Sequence, residues 1–163
     1  MKSLTILTVL SMLSTSFQHN ISLNSLEETG SHVISALRQT SIEEYRSMLP
    51  TLAEFHQIMD SNSGLYGVYL TEAKKEFATR YENEIVPSVN AAFKAVLVEG
   101  NKRGINWENI QFVRIKDQAT QQQESPVQLE IVFSEGSKEY SLKIKNAFVW
   151  QGQWRVTQFI ELK

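Results

Sequence analysis

The chain lacks cysteine altogether, and this absence excludes several kinds of protein at once. Without a thiol there is no cysteine nucleophile and no disulfide framework. There is also no lipoprotein modification, because a lipobox ends in the cysteine that is acylated. The 163 residues are enough for one domain with a sizeable core, and that core alone must hold the domain together.

The chain also lacks an excess of positive charge. It carries 16 lysine and arginine residues against 18 aspartate and glutamate residues, so its formal net charge is -2. A protein that binds nucleic acid needs a basic patch or stripe to neutralise phosphates. The near-neutral balance therefore argues against a nucleic-acid partner.

Motifs for catalysis and metal binding are absent as well. No Gly-x-Ser-x-Gly elbow exposes a serine, no His-Glu-x-x-His or calcium-loop pattern occurs, and no glycine-rich loop could cradle a phosphate. His56 lies at the edge of an apolar helical stripe, where we favour a histidine held by a hydrogen bond. We therefore predict no catalytic, cofactor-binding or metal-binding residue. His56 or a buried carboxylate stays the candidate acid or base of an alternative, a cavity enzyme.

The first sixteen residues have the composition of a signal peptide. Lys2 gives a short positive region, residues 4–13 are apolar, and residues 14–16 are the small residues that a signal peptidase reads. The apolar run is far shorter than the ~20 residues of a membrane-spanning helix. We predict a signal peptide over residues 1–16, a secreted or periplasmic location, and no membrane span in the mature protein.

The first half of the remaining chain is predicted to be helical. Capping-box patterns at Ser25–Glu28, Ser41–Glu44 and Thr51–Glu54 mark three helix starts, because the hydroxyl and the carboxylate each bind a free backbone amide. A long amphipathic segment follows over residues 69–100. Pro87 is expected to kink or divide this helix, because proline removes a backbone hydrogen bond. Residues 100–104, Gly-Asn-Lys-Arg-Gly, are expected to end the helix, with glycine in the C-terminal role.

The second half alternates apolar and polar residues as β-strands do. Strands are predicted over residues 109–116, 127–134, 140–150 and 154–162, with a polar, mobile loop at 118–125. Gly152 is suited to a tight hairpin turn. The apolar residues of that hairpin fall on even positions and predict one buried face: Tyr140, Leu142, Ile144, Phe148, Trp150, Trp154, Val156, Ile160 and Leu162.

Helices followed by strands predict a single α+β domain over residues 25–163, with N-terminal helices packed on one face of a curved four-stranded antiparallel meander. After the long helix come Gly-Ile-Asn-Trp at residues 104–107, a strand, a polar loop and a hairpin ending in Trp-Gln-Gly-Gln-Trp-Arg-Val. This arrangement resembles small exported bacterial proteins of the cystatin-like and nuclear-transport-factor-2-like fold group. The resemblance implies a helix layer packed into a curved sheet, often above a conical cavity. The Gln-x-Val-x-Gly wedge of cystatin inhibitors is absent, so it does not imply protease inhibition.

The aromatic residues give the candidate binding site. Five of them are predicted to line an apolar pocket between helix and sheet: Phe77, Tyr81, Tyr140, Phe148 and Trp150. The same residues would otherwise fill the core, as large aromatics ordinarily do. We therefore expect a non-catalytic binding module for a hydrophobic small molecule or a protein partner. The alternatives are the cavity enzyme and a structural or interaction protein with a filled core.

Overall fold

The structure, a computed structural model, describes residues 23–116, 126–157 and 159–163. Helices come first: α1 Leu26–Arg38, α2 Ile42–Ser47, α3 Leu52–Ser61, α4 Ser63–Tyr66, α5 Leu70–Arg80 and α6 Val86–Lys102. Strands follow: β1 Ile110–Ile115, β2 Val127–Glu135, β3 Lys138–Trp150, β4 Gln153–Val156 and β5 Ile160–Leu162. The predicted α+β class is confirmed. The predicted signal peptide and the predicted loop at 118–125 lie outside the described residues.

The first three helices begin where the capping patterns predict. In α1, α2 and α3 the hydroxyl oxygens of Ser25, Ser41 and Thr51 accept hydrogen bonds from the backbone amides of the residues three positions later. At Thr51 the Glu54 carboxylate also accepts from the Thr51 amide at 2.8 Å, so the full reciprocal box forms. Local side-chain chemistry therefore fixes these three helix starts before any tertiary contact forms.

The long amphipathic segment is divided in two, as the proline predicts. The break is a turn of π-helix at Tyr81–Ile85, directly before α6, in which Pro87 occupies the first turn. A proline there loses nothing, because the first amides of a helix have no intrahelical partner. The predicted end of the helix at residues 100–104 is confirmed. Gly100 lies inside α6, which ends at Lys102, and Gly104, with φ of 78°, follows the helix in the C-terminal role.

The strands form a curled antiparallel sheet, like half of a barrel, in the order β1-β2-β3-β4. β5 pairs with the first part of β3 and β4 with the last part, both along the edge that β2 leaves open. They occupy one strand position, so the meander has four positions as predicted. The β3–β4 turn has positive φ at Gln151 and Gly152, which matches the right-handed twist of the two strands.

The predicted even-numbered face of this hairpin is wrong at Phe148 and Trp150, whereas Trp154, Val156 and Ile160 are buried as predicted. Leu129 lies opposite Ile144 but Val127 lies opposite Ala147, so β3 carries an extra residue at positions 145–146. This β-bulge reverses which side chains point inward. Leu142 and Ile144 are buried before it, and Ala147 after it. Phe148 and Trp150 therefore lie on the opposite face of the sheet from Leu142.

The core lies between the inner face of the sheet and helices α1, α2 and α6. It includes these fully buried side chains: Leu23, Val33, Leu37, Tyr45, Met48, Val89, Ile110, Leu129, Ile131, Phe133, Leu142, Ile144, Trp154 and Val156. The predicted burial of Trp154 is confirmed, at 1% exposed. Trp154 also donates its backbone amide to the Leu23 carbonyl at 2.8 Å, which ties the segment before α1 to β4.

Candidate functional site

Helices α3 and α5 form a helical hairpin, defined here as residues 52–85, that lies largely outside this core. Met59 is the one buried residue of α3, and α5 has none. The two helices pack on each other through aromatic rings. The Phe55 ring lies 4.7 Å from Phe77 and 6.0 Å from Tyr81, between ring centres. The hairpin therefore has a small apolar seam of its own and depends little on the main core.

Polar contacts attach the base of the helical hairpin to the rest of the protein. The Arg155 guanidinium of β4 donates to the Glu54 carboxylate at 2.7 and 3.1 Å. The Tyr81 hydroxyl donates to the Pro50 carbonyl at 3.1 Å. Burial alone would raise the pKa of Glu54, but the Thr51 amide and Arg155 outweigh it, so the pKa lies below its usual range. Glu54 is therefore held as a carboxylate that anchors α3.

The end of the helical hairpin is an exposed apolar segment, which we call the apolar tip and define as residues 63–70. Leu65 is 83% exposed, Val68 is 92% exposed and Tyr69 is 73% exposed. No charged residue occurs between Asp60 and Glu72. Scattered exposed apolar residues are normal, but three of them within five positions form a patch, and patches mark interaction sites.

A glycine gives the apolar tip its shape. Gly67 ends α4 with φ of 54° and ψ of -132°, a conformation that side-chain-bearing residues rarely adopt. The chain reverses there into a short 3-10 turn, Gly67–Tyr69, and then enters α5. Behind the tip, Lys74 of α5 and Asp60 of α3 form an ion pair of 2.6 Å. This pair holds the two helices together at the level where the uncharged segment begins.

The five aromatic residues predicted to line a pocket are divided between the helical hairpin and the two faces of β3. Phe77 and Tyr81 are neighbours in the helical hairpin, with ring centres 6.4 Å apart. Tyr140 stacks on Phe133 at the edge of the core, with ring centres 5.5 Å apart. Phe148 and Trp150 lie on the other face of β3, where Phe148 is opposite Arg155. The structure thus brings Phe77 and Tyr81 together, and Tyr140 lies apart from the other four.

An open cleft of about 340 Å³ lies on the outer face of the sheet, and it is charged. Its floor holds Glu130, which is 7% exposed and receives hydrogen bonds from Lys163 and from Lys116, the latter at 3.0 Å. Arg114 and Glu139 form a two-pronged ion pair across it, at 3.1 and 3.0 Å. The hydrogen bonds from Lys163 and Lys116 lower the pKa of Glu130 to about 2. This carboxylate stays ionised and does not donate protons near neutral pH.

The second cleft, of about 190 Å³, lies between α6 and β5 and is also open. It is lined by Ser88, Ala92, Lys145, Phe159, Ile160 and Glu161. His56 lines neither cleft, and its Nε2 atom is buried without a hydrogen-bond partner. Among the described residues this atom therefore has no partner, and the expected hydrogen bond of His56 stays a prediction.

Within residues 23–116, 126–157 and 159–163, no group of three or more histidine, aspartate or glutamate side chains could hold a metal ion. No helix in those ranges combines the length and the apolar composition needed to cross a membrane.

Comparison of the chain with protein-family models, curated proteins and solved structures finds no match. The resemblance to the cystatin-like and nuclear-transport-factor-2-like fold group therefore stays a prediction.

The apolar tip is the feature that sequence reasoning missed. The amphipathic segment predicted over residues 69–100 begins inside the tip, so residues 69 and 70 are predicted as the start of a helix. The available signal was the run Leu-Tyr-Gly-Val-Tyr-Leu at residues 65–70, which has no charge and no helical or strand periodicity. Whether such a run is buried or exposed depends on which distant parts of the chain pack on it. A short window of sequence does not contain that information.

Proposed function

We propose that this protein is an exported, non-catalytic binding module that engages an apolar partner through the tip of its helical hairpin. Export rests on the signal-peptide pattern of residues 1–16. Binding rests on one observation, the exposure of Leu65, Val68 and Tyr69 in a protein whose other large apolar side chains are mostly enclosed. Side chains of this kind are stabilised when a partner removes them from water.

The charged groups support binding rather than acid–base chemistry. A general acid or base works best when its pKa lies near the operating pH. The pKa values of Glu54 and Glu130 are instead shifted downward by cations and hydrogen-bond donors. Both carboxylates serve as ion-pair partners, Glu54 at the hairpin base and Glu130 in the outer cleft. The apolar tip is therefore the better candidate for the working surface.

The test compares two sets of surface substitutions. In the first, Leu65, Val68 and Tyr69 are changed to serine. In the matched control, Val98 and Phe159, which are also exposed but lie elsewhere, are changed to serine. Retention on a phenyl matrix and fluorescence of a dye that reports apolar surface are measured for both variants and the wild type.

We expect the tip variant to lose retention and dye fluorescence, and the control to keep most of both, because the tip carries the most exposed apolar side chains. Equal losses in the two variants would refute the proposed role of the tip. Export is tested separately by N-terminal sequencing of exported protein. The first residue is expected between Thr15 and Asn20, and an intact Met1 would contradict the signal peptide.

A further inference from the structure

We propose that the partner of the apolar tip is the surface of a lipid bilayer, into which residues 63–70 insert to the depth of the headgroups. This inference rests on the proposed binding function and names its partner. Three properties of the tip favour a bilayer over a protein: its size, its side-chain chemistry and its charge.

The exposed apolar area of the tip is small. Leu65, Val68 and Tyr69 together expose roughly 350 Å² of apolar surface, from the usual areas of such side chains. A stable protein–protein interface buries about 800 Å² on each partner, of which a little over half, about 450 Å², is apolar and is matched in shape to the other surface. Insertion into a bilayer has no such requirement, because acyl chains and headgroups rearrange around whatever enters. The area is thus below that of a protein interface and suitable for a shallow membrane anchor.

The residues have the chemistry of the membrane–water boundary. The tip carries two tyrosines, of which Tyr69 is exposed and Tyr66 is half-buried. A tyrosine ring is apolar while its hydroxyl stays hydrated, so tyrosine is enriched at the level of lipid headgroups. Leu65 and Val68 provide the aliphatic surface that enters more deeply.

The charges around the tip limit the depth of insertion and match a neutral membrane. No charge lies between Asp60 and Glu72, so this eleven-residue segment can leave water without desolvating an ion. The charges next to it along the chain are Asp60 on one side and Glu72, Lys74, Lys75 and Glu76 on the other, so the two signs nearly balance. A balanced collar suits zwitterionic headgroups and gives little attraction to anionic lipid. Binding should therefore depend weakly on salt.

A fluorescent label can report insertion at one chosen position, because the chain has no cysteine of its own. Val68→Cys in the full chain places the label on the tip, at a side chain that is 92% exposed. Val98→Cys places the same label on α6, at another exposed valine, as the matched control. Each labelled protein is mixed, at low and high salt, with vesicles of phosphatidylcholine and with vesicles that also contain an anionic lipid. Emission wavelength and quenching by a lipid-bound quencher are recorded.

We expect a blue shift and lipid quenching at position 68, neither at position 98, and no loss at high salt. In the Val68→Cys protein, Leu65→Ser with Tyr69→Ser should abolish the shift. If the apolar residues 4–13 attached the protein to the vesicle instead, the shift would persist after those two substitutions. The comparison therefore distinguishes insertion of the tip from attachment through residues 4–13. A single tip of this size should bind reversibly, with an association constant on the order of 10⁴ M⁻¹, as a single acyl chain does.

Several results would overturn the inference. They are an unchanged label at position 68, equal shifts at both positions, and a shift seen only with anionic vesicles at low salt. Tip-dependent dimers in sedimentation would show that a second copy covers the surface instead. If the vesicles fail while the tip still governs retention on the phenyl matrix, the bilayer is excluded and the binding function stands. If both fail, the proposed function fails as well.

Discussion

Gly100 offers the sharpest test of the packing between α6 and the turn that follows it. A methyl group at this position would lie 2.0 Å from Cζ2 of Trp107, and two further ring atoms lie 2.8 Å away. The indole cannot easily move, because its Nε1 donates to the Leu97 carbonyl at 3.3 Å and its ring stacks on Phe133. Gly100→Ala must therefore displace the helix or the tryptophan.

Two opposing effects decide the size of the change. Alanine favours a helix interior over glycine by about 1 kcal/mol. Overpacking costs about 1–3 kcal/mol and sometimes more, and a 2.0 Å contact with three crowded ring atoms belongs at the upper end. We expect a net destabilisation of about 2 kcal/mol. In urea unfolding, the midpoint should fall and the slope should stay constant.

Two variants make the result specific. Gly64→Ala is the matched control, because no atom lies within 4 Å of its new methyl group, and stability should stay constant or rise by a few tenths of a kcal/mol. In a Trp107→Leu background, Gly100→Ala should lose most of its cost, because the clashing ring is gone. The explanation is refuted if Gly100→Ala leaves the wild type unchanged, or if it costs the same in both backgrounds.

Three further predictions concern the sheet and its anchors. Trp154→Ala should lower the free energy of unfolding by about 3–5 kcal/mol, because the ring is fully buried, and a loss below about 1 kcal/mol in urea unfolding would contradict its core position. Glu130→Gln should reduce the loss of stability on acidification. The folded-state pKa of Glu130, about 2, lies below the ordinary 4.5, so its contribution to stability is present above pH 4.5 and is lost as pH falls towards 2. Urea midpoints that fall with pH below 4.5 as steeply in the variant as in the wild type would contradict this. Arg155→Met should loosen α3 and increase amide hydrogen exchange across it, since Glu54 loses its partner. Arg114→Met on the exposed outer face is the control and should not change exchange in α3. Equal exchange in α3 of the two variants would contradict the role of Arg155 as an anchor.

Local chemistry explains which parts of the fold could be predicted. A capping hydroxyl such as Thr51 acts on amides three residues away, and a turn such as Gln151–Gly152 requires positive φ within two residues. Both signals are complete within a short window of sequence. The predicted helix starts, the proline-related break and the final hairpin follow from such windows, and the structure confirms them.

Features that depend on pairing or packing could not be predicted in the same way. The bulge at positions 145–146 changes the face of every later residue in β3, yet Lys-Asn there is compatible with a regular strand. Gly100 has the composition of a helix end, and only its approach to Trp107 shows that it is an interior contact. The prediction groups Tyr140, Phe148 and Trp150 by their even positions, and one extra residue in β3 places Phe148 and Trp150 on the opposite face from Tyr140.

The bulge also accounts for how the protein can keep an apolar segment in solvent. Beyond it, neighbouring β4 residues are buried on both faces: Trp154 enters the core, and Arg155 points the other way to Glu54. α3 therefore contacts the sheet through the ion pair between Arg155 and Glu54, while the inner face of the sheet packs against α1, α2 and α6. Burial of the helical hairpin is not needed to complete the core. Its far end is consequently free to carry Leu65, Val68 and Tyr69 in exposed positions, and the proposed binding role would explain why such residues are there.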